Sequence, residues 1–275
     1  MISRVLCRAE SLLEQGAANR AVIGLDTGAS PASLALVLNG RFAGDVWRPS
    51  TSHGAALAGA VDELLAAAGI SFGELGGIAV GIGPGSFTGL RIGVSYAKGI
   101  AFASGCALAG VPSLDAIALA ALEDPRARPG LTVCPILDAR KGEVYTALYR
   151  IVADGLEKLS RDLVMPLARL TSELAQLDQD AILAGDTKAN DAAALLHRKG
   201  VEVTVKGTQV LQTRARYIAA LGAARIARGE SDSIGAFEPL YVRPPEAEAA
   251  LAAKASEAIT EGVWSAERKN SFGSI

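Results

Sequence analysis

The chain has 275 residues, half of them hydrophobic and a fifth charged, with a mean hydropathy of +0.28. That balance excludes an intrinsically disordered protein, and the length leaves room for one large or two medium domains. A net charge of -2 and an isoelectric point near 5.8 argue against a protein that holds nucleic acid by bulk phosphate neutralisation, which needs a basic face, and leave room only for a local basic patch.

The cysteines Cys7, Cys106 and Cys134 are far apart, odd in number and without a C-x-x-C pair, which fits a reducing compartment. Between Met1 and Arg20 the charges Arg4, Arg8, Glu10 and Glu14 interrupt the apolar stretches, so no signal peptide is expected. No run approaches the ~20 uncharged apolar residues of a membrane span. A cytoplasmic protein with no membrane contact is the expectation, its first 20 residues forming an amphipathic extension.

In chain order, Ala21 to Leu25 is a strand that runs into Asp26-Thr27-Gly28. Ser33 to Leu38 is a second strand, Asn39-Gly40 a tight hairpin turn, and Arg41 to Val46 a third strand. From His53, Leu57, Val61, Leu64 and Leu65 recur at helical spacing as far as Gly69. Ile78 to Ile82 reads as a buried strand, Leu90 to Ala103 as a helix, Leu108 to Val111 as a strand and Leu114 to Leu122 as a helix capped by Ser113.

Past the break at 124–130 the same order returns, without sequence identity between the halves. Thr132 to Leu137, Glu143 to Ile151 and Glu157 to Val164 read as strands. They are followed by a helix from Ala168 to Leu177, a strand from Ala181 to Ala184, a helix from Asp191 to Lys199, a strand from Val201 to Val205 and a helix from Arg214 to Ala227. Two βββαβαβα units predict a duplicated α/β fold of the actin, hexokinase and Hsp70 kind, with two lobes and a cleft between them. The expected divisions are an extension at 1–20, a first lobe at 21–112, a second at 113–245 and a tail at 246–275.

In kinases of that architecture the corner Asp26-Thr27-Gly28 would hold metal and phosphate, a carboxylate on the cation and backbone amides on the phosphate oxygens. The same tripeptide also makes an ordinary polar turn. The segment from Gly81 to Gly93, GIGPGSFTGLRIG, carries glycines that allow close backbone approach, with Ser86 and Thr88 placed to cap a helix. A phosphate cradle would look similar, but the Gly-Lys-Ser/Thr ending of a P-loop is missing. Gly89, Gly93, Ala97 and Ala101 recur every four residues as a flat face, for which intramolecular packing is the default.

The run GPGSFTGLRIGVSYAK from Gly83, the opening IGLDTGASPASLAL and the block LDARKGEVYTALY from Leu137 closely resemble the bacterial TsaB family, formerly YeaZ. The resemblance spans Val22 to about Pro245. It implies an actin-like ATPase (ASKHA, ribonuclease H-like) fold and a cytoplasmic, non-catalytic scaffold subunit in the synthesis of tRNA N6-threonylcarbamoyladenosine. In that system TsaB binds and activates the transferase TsaD, which it resembles, and the ATPase TsaE joins the pair. A homodimer forms when TsaD is absent, and tRNA is met only through the complex. No cofactor or metal of its own is implied, beyond weak ADP or ATP binding within the complex at a vestigial Asp26, Thr27 and Gly28.

TsaD-like proteins bind metal through two histidines separated by three residues, where this chain has Ser113 and Ile117. Its two histidines, His53 and His197, lie in different halves. The family's helices at 53–68 and 89–103 form a bundle with the same helices of TsaD or of a second TsaB. That role is carried onto Leu57, Ala60, Val61 and Leu64 and onto Leu90, Gly93, Val94 and Ala97. Asp138, Arg140, Lys141 and Glu143 match the family's hairpin without an assigned chemical step, and read alone they form a charged turn. The alternatives are a stand-alone ATP-dependent kinase of the same fold or a metallo-glycopeptidase-like enzyme. The first lacks a second phosphate clamp and the second lacks a ligand or nucleophile constellation. In the tail, Glu246 to Ala258 has a helical composition and Trp264 to Ile275 little pattern.

Overall fold

A computed structural model describes residues 4–15, 21–48, 54–176 and 180–243. The chain divides into a unit spanning Met1–Leu240 and a second spanning Tyr241–Ile275. The expectations for His53 and for the tail beyond 246 fall outside the described residues.

Two sheets organise the first unit. In the first, β2 (Ala21–Asp26), β3 (Ala32–Leu38) and β4 (Arg41–Arg48) form an antiparallel meander, while β5 (Gly77–Gly83) and β6 (Ala107–Pro112) add in parallel, giving the order β4-β3-β2-β5-β6. Asn39 and Gly40 both have positive φ, as the two-residue hairpin requires.

The second sheet repeats that plan around β7 (Thr132–Asp138), which pairs in parallel with β12 (Ala181–Gly185), itself parallel to β13 (Val203–Lys206). The single strand expected at 143–151 is broken at Ala147 and Leu148 into β8 (Glu143–Thr146) and β9 (Tyr149–Val152), both antiparallel to β7. β9 then pairs with β10 (Gly155–Lys158), and β8 with β11 (Leu163–Pro166). The break persists because Leu148 finds partners outside the ladder: its N–H donates to Ser160 Oγ at 2.9 Å and its carbonyl accepts from Leu159 N at 2.8 Å. The first residues also join this sheet, since β1 (Arg4–Cys7) pairs antiparallel with β10 and covers its edge. The short helix α1 (Ala9–Gln15) follows it.

The helices make five layers with the sheets. α2 (Gly54–Ala68) and α3 (Phe87–Ser104) pack on one face of the first sheet around Ile23, Leu25, Leu34, Ile78 and Val80. α5 (Leu167–Leu174) and α6 (Thr187–His197) pack on the far face of the second, around Cys134, Ile136 and Leu183. Between the sheets lie α4 (Ser113–Ala121) and α7 (Gln209–Ala227) in the largest core, with Leu6 and Leu12. Gly24 and Gly222 let α7 lie against the first sheet, because a Cβ on Gly24 would collide with Ala215 and one on Gly222 with Ala79. Each half thus sends its last helix into the shared middle layer, so the two sheets bury one common interior. Among the described residues no helix is long and apolar enough to cross a membrane.

Candidate functional site

Asp26 ends β2 with no exposed surface. Its Oδ1 accepts from Gly28 N at 2.7 Å and its Oδ2 from Ser113 Oγ, also at 2.7 Å. Its counter-charge comes from the other half of the chain: Nε of Arg214, on α7 and fully buried, lies 3.4 Å from Asp26 Oδ1. The same guanidinium donates from Nη2 to the carbonyls of Asp26 at 3.2 Å and of Ala29 and Pro31 at 2.8 Å each, and from Nη1 to Leu211. A carboxylate and a cation this deep are sustained only by such mutual pairing.

The glycines of 81–93 close on this corner. A Cβ on Gly81 would collide with the Asp26 carboxylate, on Gly85 with the Gly28 backbone, on Gly89 with the Thr27 carbonyl and on Gly93 with Thr27 Oγ1. The backbone groups around the corner are bonded inward: Ser86 N donates to Gly28 O at 2.7 Å, and Thr27 Oγ1 to Gly89 O at 2.7 Å. Ser86 caps α3, its Oγ accepting from Gly89 N. Of the two readings of the glycine segment, intramolecular packing is the one realised.

In the second half, Asp186 occupies the N-terminus of α6. Its Oδ1 accepts from Lys188 N at 2.8 Å and its Oδ2 from Asp138 N at 2.7 Å. A carboxylate therefore sits where the helix would otherwise receive an anion. Burial raises the pKa of Asp186, opposed by its two backbone hydrogen bonds and reinforced by the charge of Asp138. Arg140 and Lys141 both adopt left-handed backbone (φ 65° and 54°) in the turn closed by Glu143 N donating to Arg140 O at 2.9 Å. Arg140 is 87% exposed and pairs with Asp138 at 3.6 Å, so the expected charged hairpin is what forms.

The eight residues assigned to a partner surface require correction. Leu57, Ala60, Val61, Leu64, Leu90, Val94 and Ala97 are each between 0% and 4% exposed, and Gly93 is buried against Thr27. They build the core between α2, α3 and the first sheet. The apolar stripe of a surface helix faces its own domain, so it was the wrong stripe to read as an interface. The outward stripe of α3 runs through half-buried Ile92 and Tyr96, exposed Ser95 and Gly99, and Phe102 at 81% exposure. On α2 the exposed positions are Ala58, Gly59, Asp62, Glu63, Ala66 and Ala67. Burial, and then the charge of Asp62 on α2, raises the Tyr96 pKa.

At the positions of the metal-binding histidines, Ser113 donates to Asp26 and Ile117 is fully buried in the middle layer. Among the described residues no group of three or more His, Cys, Asp or Glu is arranged to hold a metal. His197 is exposed in the last turn of α6. Sequence reasoning missed Arg214, which sits 188 positions from Asp26 and inside a helix whose periodicity gives a charged residue no special mark.

A family model for TsaD, tRNA N6-adenosine threonylcarbamoyltransferase, matches residues 48–251. The TsaB protein of Bacillus subtilis is 32% identical over 182 residues, which cover 64% of this chain and 73% of that protein. TsaB of Escherichia coli is 26% identical over 223 residues, covering 81% of this chain and 94% of its own. The solved structure of YeaZ from Pseudomonas aeruginosa superposes with a TM-score of 0.66 at 26% identity, over 81% of this chain and 99% of that one. A second Pseudomonas aeruginosa structure, described as similar to the peptidase YeaZ, gives 0.67 at the same identity. With the two-lobed actin-like fold in hand, these likenesses agree: the chain belongs to the TsaB (YeaZ) family, within the larger group that the TsaD model describes.

Proposed function

We propose that the chain is the non-catalytic partner of a TsaD transferase in the synthesis of tRNA N6-threonylcarbamoyladenosine. It pairs with TsaD through the outward sides of α2 and α3, and with a second copy of itself when TsaD is absent. TsaE joins the pair, and tRNA is reached only through the assembly, in the cytoplasm. The observation that carries the reading is the Asp26–Arg214 pair. In an actin-like kinase that carboxylate would be left for a metal and its phosphates. Here a guanidinium, a hydroxyl and a backbone amide already satisfy it, and the neighbouring glycine segment is bonded to the corner. Asp186 at the α6 N-terminus opposes phosphate in the second half. These residues do not fit a tightly held Mg-nucleotide, so no chemical step is drawn through one.

Phe102 supports the interaction surface. A phenylalanine 81% exposed near the end of a helix is a cost in an isolated monomer and an anchor once covered. Small neighbours at Ser95 and Gly99 let another helix approach closely.

The test is size-exclusion chromatography with light scattering, using the chain alone and mixed with TsaD of the same organism, with ATP turnover measured on each. A one-to-one complex lost in Phe102→Asp, with the variant's melting unchanged, is the expected result. No complex, together with substantial turnover by the isolated chain, would overturn it in favour of a stand-alone ATP-dependent enzyme.

A further inference from the structure

A second feature of the molecule lies away from the Asp26 corner and from the outward sides of α2 and α3. Behind β6, where β1 and α1 cross the middle layer, there is a cavity of about 210 Å³. At the ~30 Å³ that one water occupies in the liquid, it holds on the order of seven non-hydrogen atoms. Leu6, Leu12, Val111 and Leu221 give it an aliphatic wall. Its charged groups are segregated by depth. Asp115 is 2% exposed and marks the inner end, whereas the side chain of Arg228 is 46% exposed and marks the mouth.

The inner end carries a charge imbalance. Asp115 Oδ1 accepts from Tyr149 Oη at 2.6 Å and from Lys158 Nζ at 2.7 Å, and the same ammonium donates to Asp162 at 2.6 Å. Two buried carboxylates share one ammonium, which leaves one negative charge over. Both hydrogen bonds of Asp115 fall on Oδ1, and Oδ2 is not among the described side-chain atoms that are buried without a partner, which leaves it as the oxygen open to the cavity. Buried charge of this kind calls for a cation or a donor beside it. Burial raises the pKa of Asp162 despite the attraction of Lys158, in keeping with a cluster short of positive charge.

The mouth has the opposite character. Arg225 Nη1 donates to Gly110 O at 2.5 Å and to Asp232 at 3.1 Å, and Arg228 pairs with Glu230 at 2.8 Å. The Arg228–Glu230 pair is close to half exposed on both sides, so its exchange for another carboxylate costs little.

We propose that this cavity is a binding site for a short ω-amino acid: an ammonium seated on Asp115 Oδ2, a few methylenes along Leu6, Leu12, Val111 and Leu221, and a carboxylate exchanging with Glu230 on Arg228. A lone amine would leave the guanidinium mouth without a new partner, and a lone carboxylate would add negative charge toward Asp115. The site is independent of the proposed pairing with TsaD and stands or falls without it.

The probe is 5-aminopentanoate, titrated calorimetrically into the full-length protein beside pentanoate, pentylamine and valine, the last carrying both charges at one end. Cys7 lines the same cavity, so its alkylation rate, read by peptide mass spectrometry against that of Cys106, reports occupancy separately. The expected result is saturable binding of 5-aminopentanoate, at least about tenfold tighter than any of the other three, with slowed alkylation of Cys7 alone; tenfold is the least that one lost charge-assisted bond should cost. Ala224→Phe, which fills the cavity from α7, should abolish binding while leaving thermal melting within a few degrees. Arg228→Ala, at the exposed mouth, should bring 5-aminopentanoate down to the level of pentylamine. Equal affinity for all four probes, undisturbed Cys7 labelling at saturation, or unchanged binding in a folded Ala224→Phe variant would each overturn the proposal.

Discussion

The two halves of the molecule share one topology and treat their first corner in opposite ways. At the end of β2, Asp26 is wholly buried and neutralised by an arginine from the far half. At the end of β7, Asp138 and the half-buried Asp186 that caps α6 beside it satisfy backbone amides, with Arg140 exposed next to them. The comparison teaches that duplication preserved the strand order while the chemistry of the corners diverged. One corner became a structural joint between the lobes and the other a capped helix start with a hairpin.

The joint should therefore be costly to break and the hairpin cheap. The largest effect is expected of Arg214→Met, which leaves Asp26 buried without its cation: a loss of about 3–5 kcal/mol in urea unfolding. Adding Asp26→Asn to it should recover part of that loss, because the orphaned charge is then gone while an amide can still bond near Ser113 and Gly28. If the double variant is no more stable than the single, the pair is not what holds the corner. Next comes Gly93→Val, whose added atoms enter the space of Thr27 Oγ1, with an expected cost of about 1–3 kcal/mol. The same denaturation series checks it, and a neutral result would mean that α3 can lift away from β2.

The sequence showed the fold more fully than the site, for a physical reason. Strand and helix order is written in local period and turn chemistry. Asn39-Gly40 and the alternation around it, or Leu57, Val61 and Leu64 at helical spacing, need no distant partner to be recognised. The Asp26–Arg214 joint spans 188 positions and the Asp115–Lys158 pair 43, and nothing local marks either arginine or lysine as buried. The addition of β1 to β10 was illegible likewise, since edge pairing between positions as far apart as Arg4 and Lys158 leaves only a short apolar run, Val5-Leu6-Cys7, as its trace. The glycine block was legible as a demand for close approach, but not as to what approaches. The helices α2 and α3 were legible while the face available to a partner was not, because the strongest apolar stripe belongs to the domain's own core. The signal that could have found the other face was Phe102, a large apolar residue out of phase with Leu90, Val94 and Ala97.

At the second corner the effects should be smaller and depend on pH. Asp186→Ala removes the cap of α6 and leaves Asp138 N without its acceptor, for a loss of about 1–2 kcal/mol. Because the folded-state pKa of Asp186 is raised, the unfolded chain releases this proton first as pH rises from about 3.8. The folded state binds more protons in that window, so this group's contribution to stability is full at lower pH and declines through the window. The alanine variant should lose that part of the slope, and an unchanged pH profile would show that Asp186 titrates alike in both states.

Smallest of all should be Arg140→Gly. The left-handed backbone at φ 65° costs a non-glycine residue about 1–2 kcal/mol, which glycine relieves. Glycine also gives the unfolded chain more freedom, which takes back about 0.5–1 kcal/mol. The ion pair it removes has an arginine 87% exposed, so solvent leaves little of it to lose. The terms nearly cancel, and the melting curve should shift by the equivalent of no more than about 1 kcal/mol, toward greater stability. A loss as large as that of Gly93→Val would mean that the second corner, too, is a joint, held by Arg140 as the first is held by Arg214.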